Sequence, residues 1–479
     1  MKLSDISLLK TRAYVDGRWI GADSGESFKV TNPATGEVVA EVARCGGDET
    51  RRAIEAAEKA QVEWRKKTAG ERSVLMRRWF DLMMEAQEDL AQILTAEQGK
   101  PLAEARGEIA YGASYIEWFA EEAKRVYGDT IPPPANDRRI VVIKQPVGVV
   151  ACITPWNFPN AMLARKVAAA LAAGCTTVCK PATATPLSAF AMAELADLAG
   201  IPAGVINVLA GHTGAIGGEL TSNPTVRKLT FTGSTEVGKK LVADCAQTMK
   251  RTSMELGGNA PFIVFDDADL DNAIQGTLAS KYRNAGQTCV CANRILVQES
   301  VMEEYSAKLA EAVTQLKLGN GAEDGVTMGP LIDDAAADNV VAMIDDATAK
   351  GAKVMPGGGR SKLGGSFIEP TILSGVTNNM RVFREEIFGP VSPLVSFSPE
   401  EEAIAIANDT QFGLAAYFCA RDVGRIWRVA EGLEYGIIGI NEGIISNAMA
   451  PFGGIKESGN GREGSKYGLD DYLEIKYLC

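Results

Sequence analysis

Histidine is nearly absent from this chain of 479 residues: His212, in AGHTGAIG, is the only one. A Cys-His or Ser-His catalytic pair must use that residue or not exist here. His212 itself reads as a polar loop residue ahead of a helix. A His-based zinc site has no ligands to draw on, and Cys175-Thr-Thr-Val-Cys179 has no matching second pair, so no metal is expected. Basic charge is also short, with 49 Lys and Arg against 61 Asp and Glu, a net charge of −12. That balance argues against nucleic acid or an anionic membrane as partner, although local arginines can still bind a small anion. No apolar run approaches the roughly 18 residues of a membrane span. The first residues, MKLSDISLLK, lack the apolar core and small-residue cleavage site of a secretory signal. Nine cysteines, an odd number thinly spread, read as reduced thiols, and a cytoplasmic protein is expected.

What is present is the balance of a globular protein, 46% apolar and 23% charged, long enough for two or three domains. Residues 12–47 carry short strands with turn signals. Residues 48–125 show apolar residues at spacings of three and four, which predicts three amphipathic helices: ETRRAIEAAEKAQVEWRKK, RSVLMRRWFDLMMEAQEDLAQILTAEQG, and one running through YIEWFAEEAKRVYG. The prolines of Ile131-Pro-Pro-Pro134 break the pattern, and RRIVVIKQ follows as a strand. From 146, short apolar strands alternate with helices closed by Gly174 and Gly200, which predicts a parallel, doubly wound sheet. A second α/β series runs from about 252 to 440. The tail YLEIKYLC alternates like a strand but has no partner left in sequence, so pairing with another subunit is expected. The fold class is thus α/β: two doubly wound parallel-sheet (Rossmann-like) domains plus a small β oligomerisation extension. Segments 1–125 and 146–251 form the first domain and 252–445 the second, with oligomerisation strands at 126–145 and 468–479.

Four stretches carry chemistry. Gly233-Ser-Thr-Glu-Val-Gly238-Lys-Lys places a glycine and a helix cap, Ser234, after a strand, an arrangement that offers backbone N–H groups to a phosphate. A magnesium-binding P-loop fails because Lys240 stands where Ser or Thr is required, and the spacing also misses the usual dinucleotide fingerprint. A non-standard dinucleotide site and a plain capped helix both remain. Thr154-Pro-Trp-Asn-Phe-Pro159 follows a strand, where Asn157 is either an oxyanion donor or part of a rigid turn. Met254-Glu-Leu-Gly-Gly-Asn259 holds a lone carboxylate; burial would bring Glu255 towards the pKa of a general base, and the plain alternative is a surface residue. Lys281–Arg294, KYRNAGQTCVCANR, carries Cys289 in a turn with Cys291 two residues on. Cys289 is a nucleophile, a metal ligand, half of a disulfide or a small buried residue; without a histidine, a nucleophile there needs activation by backbone N–H groups, a cofactor or a carboxylate.

TPWNFP, CKPA, FTGSTEVG, ELGGNAP, GQTCVCANR, EEIFGPV and PFGGIKESG occur in this order over nearly the whole chain. Together they resemble the NAD(P)-dependent aldehyde dehydrogenase superfamily. The resemblance implies that Cys289 attacks an aldehyde and that Asn157 and the Cys289 N–H stabilise the oxyanion. Hydride then passes to the nicotinamide, and Glu255 activates the water that hydrolyses the thioester. It also implies that Lys180 and Glu386 contact the cofactor riboses. Trp156, with Thr154 and Pro155, lies along the cofactor, Gly233 and Ser234 reach the pyrophosphate, and Phe388 lines the nicotinamide side. Members that prefer NAD usually carry Glu three residues after the Lys of KPA; here Thr183 stands there, so NADP is expected to be preferred, with NAD as the other cofactor.

LARKVAAALAAGCT, KYRNAGQTCVCANR, NEGIISNAMAPFGG and YLEIKYLC resemble the succinate-semialdehyde dehydrogenase branch. The resemblance assigns Arg165, Arg283 and Ser446 to the substrate carboxylate, where the plain alternative is surface arginines or structural ion pairs. It implies a small carboxylated aldehyde as substrate, succinate semialdehyde first and glutarate semialdehyde or a broad aldehyde range second, in a homodimer or homotetramer. Cys291 reads either as a small neighbour of the nucleophile or as its partner in a reversible disulfide.

Overall fold

In the computed structural model, which describes residues 1–479, two small hairpins open the chain: β1 (Ala13–Val15) with β2 (Arg18–Ile20), and β3 (Ser27–Thr31) with β4 (Val38–Ala43). Helices α1 (Gly47–Trp64), α2 (Ala69–Glu85), α3 (Gln87–Gln98) and α4 (Leu102–Glu122) follow. The sequence spacing suggests one helix where α2 and α3 stand. The chain breaks at Ala86, with φ −90° and ψ 10°, and α3 starts afresh with Glu88 and Asp89 in its first turn, where negative charge meets the positive end of the helix dipole. Asp89 also receives the backbone N–H groups of Ser4 and Asp5, both at 2.8 Å, which ties the start of the chain to α3.

After β5 (Asp129–Ile131) and β6 (Ile140–Pro146), the alternating series runs β7 (Val149–Ile153), α5 (Ala161–Ala173), β8 (Thr176–Lys180), α6 (Leu187–Leu198), β9 (Ile206–Val208), α7 (Thr213–Ser222), β10 (Val226–Thr232), α8 (Thr235–Ala246) and β11 (Arg251–Glu255). The parallel strands lie in the order β9-β8-β7-β10-β11. Side chains on β7 alternate between two cores: Val150 and Cys152 pack with α2–α6, while Val149, Ala151 and Ile153 pack with residues of α1, α7 and α8. Both faces are covered, which explains the apolar strand sequences. The chain order reverses between β7 and β10, so a crevice opens beyond their C-terminal ends.

The second sheet is built from β12 (Ala260–Val264), β13 (Ala292–Gln298), β14 (Lys353–Val354), β15 (Thr371–Ser374), β16 (Val391–Phe397), β18 (Ala415–Cys419) and β19 (Ile437–Ile440), in the order β14-β15-β16-β13-β12-β18-β19. Its strands are joined through α9 (Leu270–Lys281), α10 (Met302–Val313), α11 (Asp334–Ala349), α12 (Arg381–Arg384), α13 (Glu400–Asn408) and α14 (Val423–Gly432). All pairs but β14–β15 are parallel. Short strands β17 (Phe412–Gly413) and β20 (Ile455–Lys456) pair with each other, and β21 (Gly459–Asn460) pairs with β11.

Two placements differ from the sequence reading. The change of sheet comes after Glu255 rather than at 251, because β11 bonds in register to β10 and carries Glu255 on the first sheet. The tail, β22 (Leu473–Leu478), finds its partner within the chain, pairing antiparallel with β6 from Leu473↔Pro146 to Leu478↔Val141. Antiparallel partners need not be neighbours in sequence, and β6 had been left open on that side. Together β22, β6 and β5 make a separate three-stranded sheet. No helix is long and apolar enough to cross a membrane.

Candidate active site

A cavity of about 270 Å³ opens at the crevice beyond β7 and β10, and the lone cysteine of the GQTC turn lies in its wall. Also in the wall are Pro155, Trp156 and Asn157 from the end of β7, Gly233 and Ser234 from the end of β10, and Glu255 from the end of β11. Glu386 and Phe388 line it as well, as do Arg165, Arg283 and Ser446. Thr154, Lys180, Thr183 and Cys291 do not line it. His212 stands at the N-cap position of α7 and meets Glu26 at the surface, outside the cavity lining.

Cys289 follows an unusual stretch. Asn284 (φ 52°, ψ 34°), Ala285 (φ 54°, ψ 33°) and Gly286 (φ 76°) are left-handed in succession. Each non-glycine residue there costs about 1–2 kcal/mol, so surrounding contacts must hold the turn in place. A Cβ on Gly286 would come within 2.2 Å of the Gly389 carbonyl oxygen, and one on Gly258 within 2.3 Å of that of Cys289. Glycine at 258 therefore lets the ELGGN loop press against the backbone of Cys289. The Cys289 N–H bonds to no other protein group. Burial pushes the Cys289 thiol up to about 12, opposed by the Arg165 charge and reinforced by Glu386 and Glu255.

Asn157 is buried, and its Nδ2 donates to the Gln287 carbonyl at 2.9 Å, leaving the second amide hydrogen free. Glu255 is also buried, with Oε2 unpartnered. Burial first, and then the Glu463 carboxylate, hold its pKa well above the ordinary range, while Arg165, Lys166 and Arg462 pull the other way. Glu463 in turn is ion-paired to Arg165 Nε and to Lys166 Nζ, the latter at 2.5 Å. The Nη1 and Nη2 atoms of Arg165 have no protein partner, and its guanidinium lies 4.5 Å over the Phe452 ring.

Trp156 and Phe388, both in the lining, meet edge to face with centroids 5.6 Å apart, Phe388 itself being left-handed at φ 52°. Glu386 accepts the Gly258 N–H at 2.9 Å; burial raises its pKa to about 7, against that hydrogen bond and the Lys281 charge. Ser234 caps α8, accepting the Val237 N–H. Lys180 ends β8, its carbonyl accepting the Thr154 N–H at 3.1 Å. Its ammonium is buried with only a 3.4 Å contact to the Pro181 carbonyl, and desolvation lowers its pKa to about 8. Thr183 is half-buried on the following loop.

These pieces fit a nicotinamide dinucleotide: an under-partnered buried cation, a helix N-terminus behind a tight glycine, a carboxylate and an aromatic slot. The sequence profile of the aldehyde dehydrogenase family matches residues 19–478.

The chain belongs to the aldehyde dehydrogenase family.

It is similar to the glutarate-semialdehyde dehydrogenase of Pseudomonas aeruginosa, 63% identical over 479 residues, covering 100% of this chain and 99% of that one. It is also similar to the NADP(+) succinate-semialdehyde dehydrogenase of Escherichia coli, at 61% with the same coverage. The crystal structure of succinate-semialdehyde dehydrogenase from Burkholderia pseudomallei superposes with a TM-score of 0.99 at 61% identity, over 100% of this chain and 99% of that one.

Several residues of this aldehyde dehydrogenase site carried no signal in the sequence. Glu463, which pairs with Arg165 behind the lining, sits in the glycine-rich GNGREG run; Tyr111 lies on a helix that reads only as amphipathic, and Phe158 beside Asn157. Phe158 lies under two cations, Lys100 at 3.8 Å and Arg283 at 5.4 Å from its centroid. Cys291 is buried behind the cavity wall, its thiol donating to the Lys281 carbonyl at 3.3 Å. All nine cysteines are free thiols.

Proposed function

We propose that this aldehyde dehydrogenase oxidises a short semialdehyde ending in a carboxylate. The candidates are succinate semialdehyde and its longer homologue, glutarate semialdehyde, with NADP preferred over NAD. The observation that carries the reading is the pair of arginines in the nucleophile's own cavity. Arg165 presents two unpartnered guanidinium nitrogens, and Arg283, with Nε unpartnered, faces the same space with Ser446. Buried guanidinium N–H groups without an acceptor are costly, and a substrate carboxylate supplies acceptors for those that Arg165 and Arg283 leave free. The similarity to both semialdehyde dehydrogenases supports either chain length, since one methylene is discriminated by only about 1–3 kcal/mol.

In this reading Cys289 Sγ, once deprotonated, adds to the aldehyde carbon. The free Nδ2 hydrogen of Asn157 and the Cys289 N–H hold the developing oxyanion. The cofactor, when bound, supplies the hydride acceptor. Glu255, as carboxylate, takes a proton from the water that attacks the resulting thioester, and the dicarboxylate leaves. Lys180 and Glu386 would grip the riboses, Ser234 and Gly233 the pyrophosphate, and Trp156 and Phe388 the flanks. Thr183 puts no carboxylate near a 2′-phosphate, and Lys180 offers a charge to it, which supports NADP.

Initial rates at 340 nm with each semialdehyde, a neutral aldehyde of matched length and each cofactor test this. A higher kcat/KM for the carboxylated substrates is expected. Equal values for the neutral aldehyde sink the carboxylate reading, and a strong NAD preference sinks the cofactor reading. The protein is further taken to be cytoplasmic, in keeping with its free thiols. A homodimer or homotetramer is supported by the unpaired outer edge of β22 with Ile475 and Tyr477 exposed. Light scattering before and after removal of residues 473–479 checks that state.

A further inference from the structure

We infer that Asn284 is a positioning residue for the oxyanion donor Asn157, a role that rests on the one proposed above for Asn157. Asn284 is buried and left-handed, a backbone state that asparagine tolerates better than other non-glycine residues. Its amide group is committed at both ends. Oδ1 accepts from Gln98 Nε2 at 3.0 Å. Nδ2 donates to the carbonyl of Asn157 at 2.9 Å and to that of Gln287 at 3.2 Å. The Gln287 carbonyl is the same atom that receives the Asn157 side-chain amide at 2.9 Å. One amide group thus bridges the backbone oxygen of Asn157 and the acceptor that aims its side chain.

The bridge is braced from outside. The backbone N–H of Asn284 donates to Glu104 Oε2 at 2.9 Å, and its carbonyl accepts from Gln287 Nε2 at 3.0 Å. The Asn157 carbonyl also receives Lys100 Nζ at 2.8 Å, from a lysine that is ion-paired to Glu108 at 2.6 Å. The turn that delivers Cys289 and the turn that delivers Asn157 are therefore locked together through Asn284. Their relative placement sets where the oxyanion sits between the two donors, and small displacements there weaken transition-state binding more than substrate binding.

The test is a double-mutant cycle with Asn157→Ala. Asn284→Gly relieves the backbone at its own position while deleting the bridge; Asn284→Asp keeps the shape and removes both donors. Each is expected to lower kcat roughly 10- to 100-fold while the aldehyde KM stays within about three-fold, with cofactor binding and melting temperature as folding controls. Combined with Asn157→Ala, Asn284→Gly should add less than about three-fold, because its route to the chemistry is already gone. Wild-type kcat in either Asn284 variant overturns the role, as do multiplicative losses in the double mutant. Wild-type kcat in Asn157→Ala overturns the oxyanion role itself, and with it the role of Asn284.

Discussion

Arg165 Nε is ion-paired to Glu463 Oε2 inside the protein, with side-chain exposures of 0% and 4%. One edge of the guanidinium is thus held by the chain, and Nη1 and Nη2 remain for the cavity. Replacing Arg165 by Gln should lose the carboxylate-specific part of kcat/KM and also destabilise the fold, because breaking a buried pair typically costs about 3–5 kcal/mol. Kinetics with paired carboxylated and neutral aldehydes, beside a thermal melt, check both halves. A variant with unchanged melting removes the structural half.

Arg283 makes no ion pair with a protein carboxylate within bonding distance, although it stacks on Phe158. Arg283→Ala should therefore leave the melting temperature nearly unchanged. It should raise KM for a carboxylated aldehyde by roughly 10- to 150-fold, the range for a hydrogen bond to a charged group. A neutral aldehyde should be spared. If both substrates suffer equally, no carboxylate is bound there.

Glu463 also bears on Glu255, the proposed base. Burial of Glu255 and then the Glu463 charge raise its pKa, and the form active in the proposed reaction is the carboxylate. Activity that needs Glu255 ionised is lost as pH falls through that raised pKa. In Glu463→Gln the repulsion disappears and the charges of Arg165 and Lys166 are released, so the acidic limb of the kcat profile should move to lower pH. An unmoved limb in a folded variant separates the two carboxylates.

Lys180 has its pKa lowered to about 8 by burial, and its charged form is the one that attracts phosphate. The kcat/KM for NADP should therefore decline as pH rises through about 8, more steeply than that for NAD. Lys180→Met should flatten the difference. Parallel profiles for the two cofactors in the native protein would remove Lys180 from the choice between them.

A Cys289–Cys291 disulfide requires the Cys291 thiol to leave the Lys281 carbonyl. If it forms, dithiothreitol should restore peroxide-treated native protein but not Cys291→Ala. Equal recovery in the two proteins removes the switch.

The alternation of strands and helices from 146 onward was legible because a strand such as β7 is apolar along its length and because α5 and α6 close at Gly174 and Gly200, left-handed at φ 90° and 86°. The tail partner was not legible, since β22 and β6 are separated by most of the chain and an antiparallel register leaves no local trace. The break at Ala86 was hidden for a related reason: no helix-breaking residue marks it, and the contacts beside it, Ser4 and Asp5 donating to Asp89, join residues far apart in sequence.

The residues proposed for the chemistry, Cys289, Asn157 and Glu255, sit in motifs that are readable without any tertiary contact. The sequence by itself determined that inventory and the order of the two α/β units. Tertiary structure alone decided which charges those residues feel. Glu463, Arg165 and Glu255 arrive from three separate elements, and Asn284 reaches Asn157 only because a left-handed turn folds one loop onto the other. Burial and distance set pKa values and hydrogen bonds, and neither is a property of neighbours along a chain.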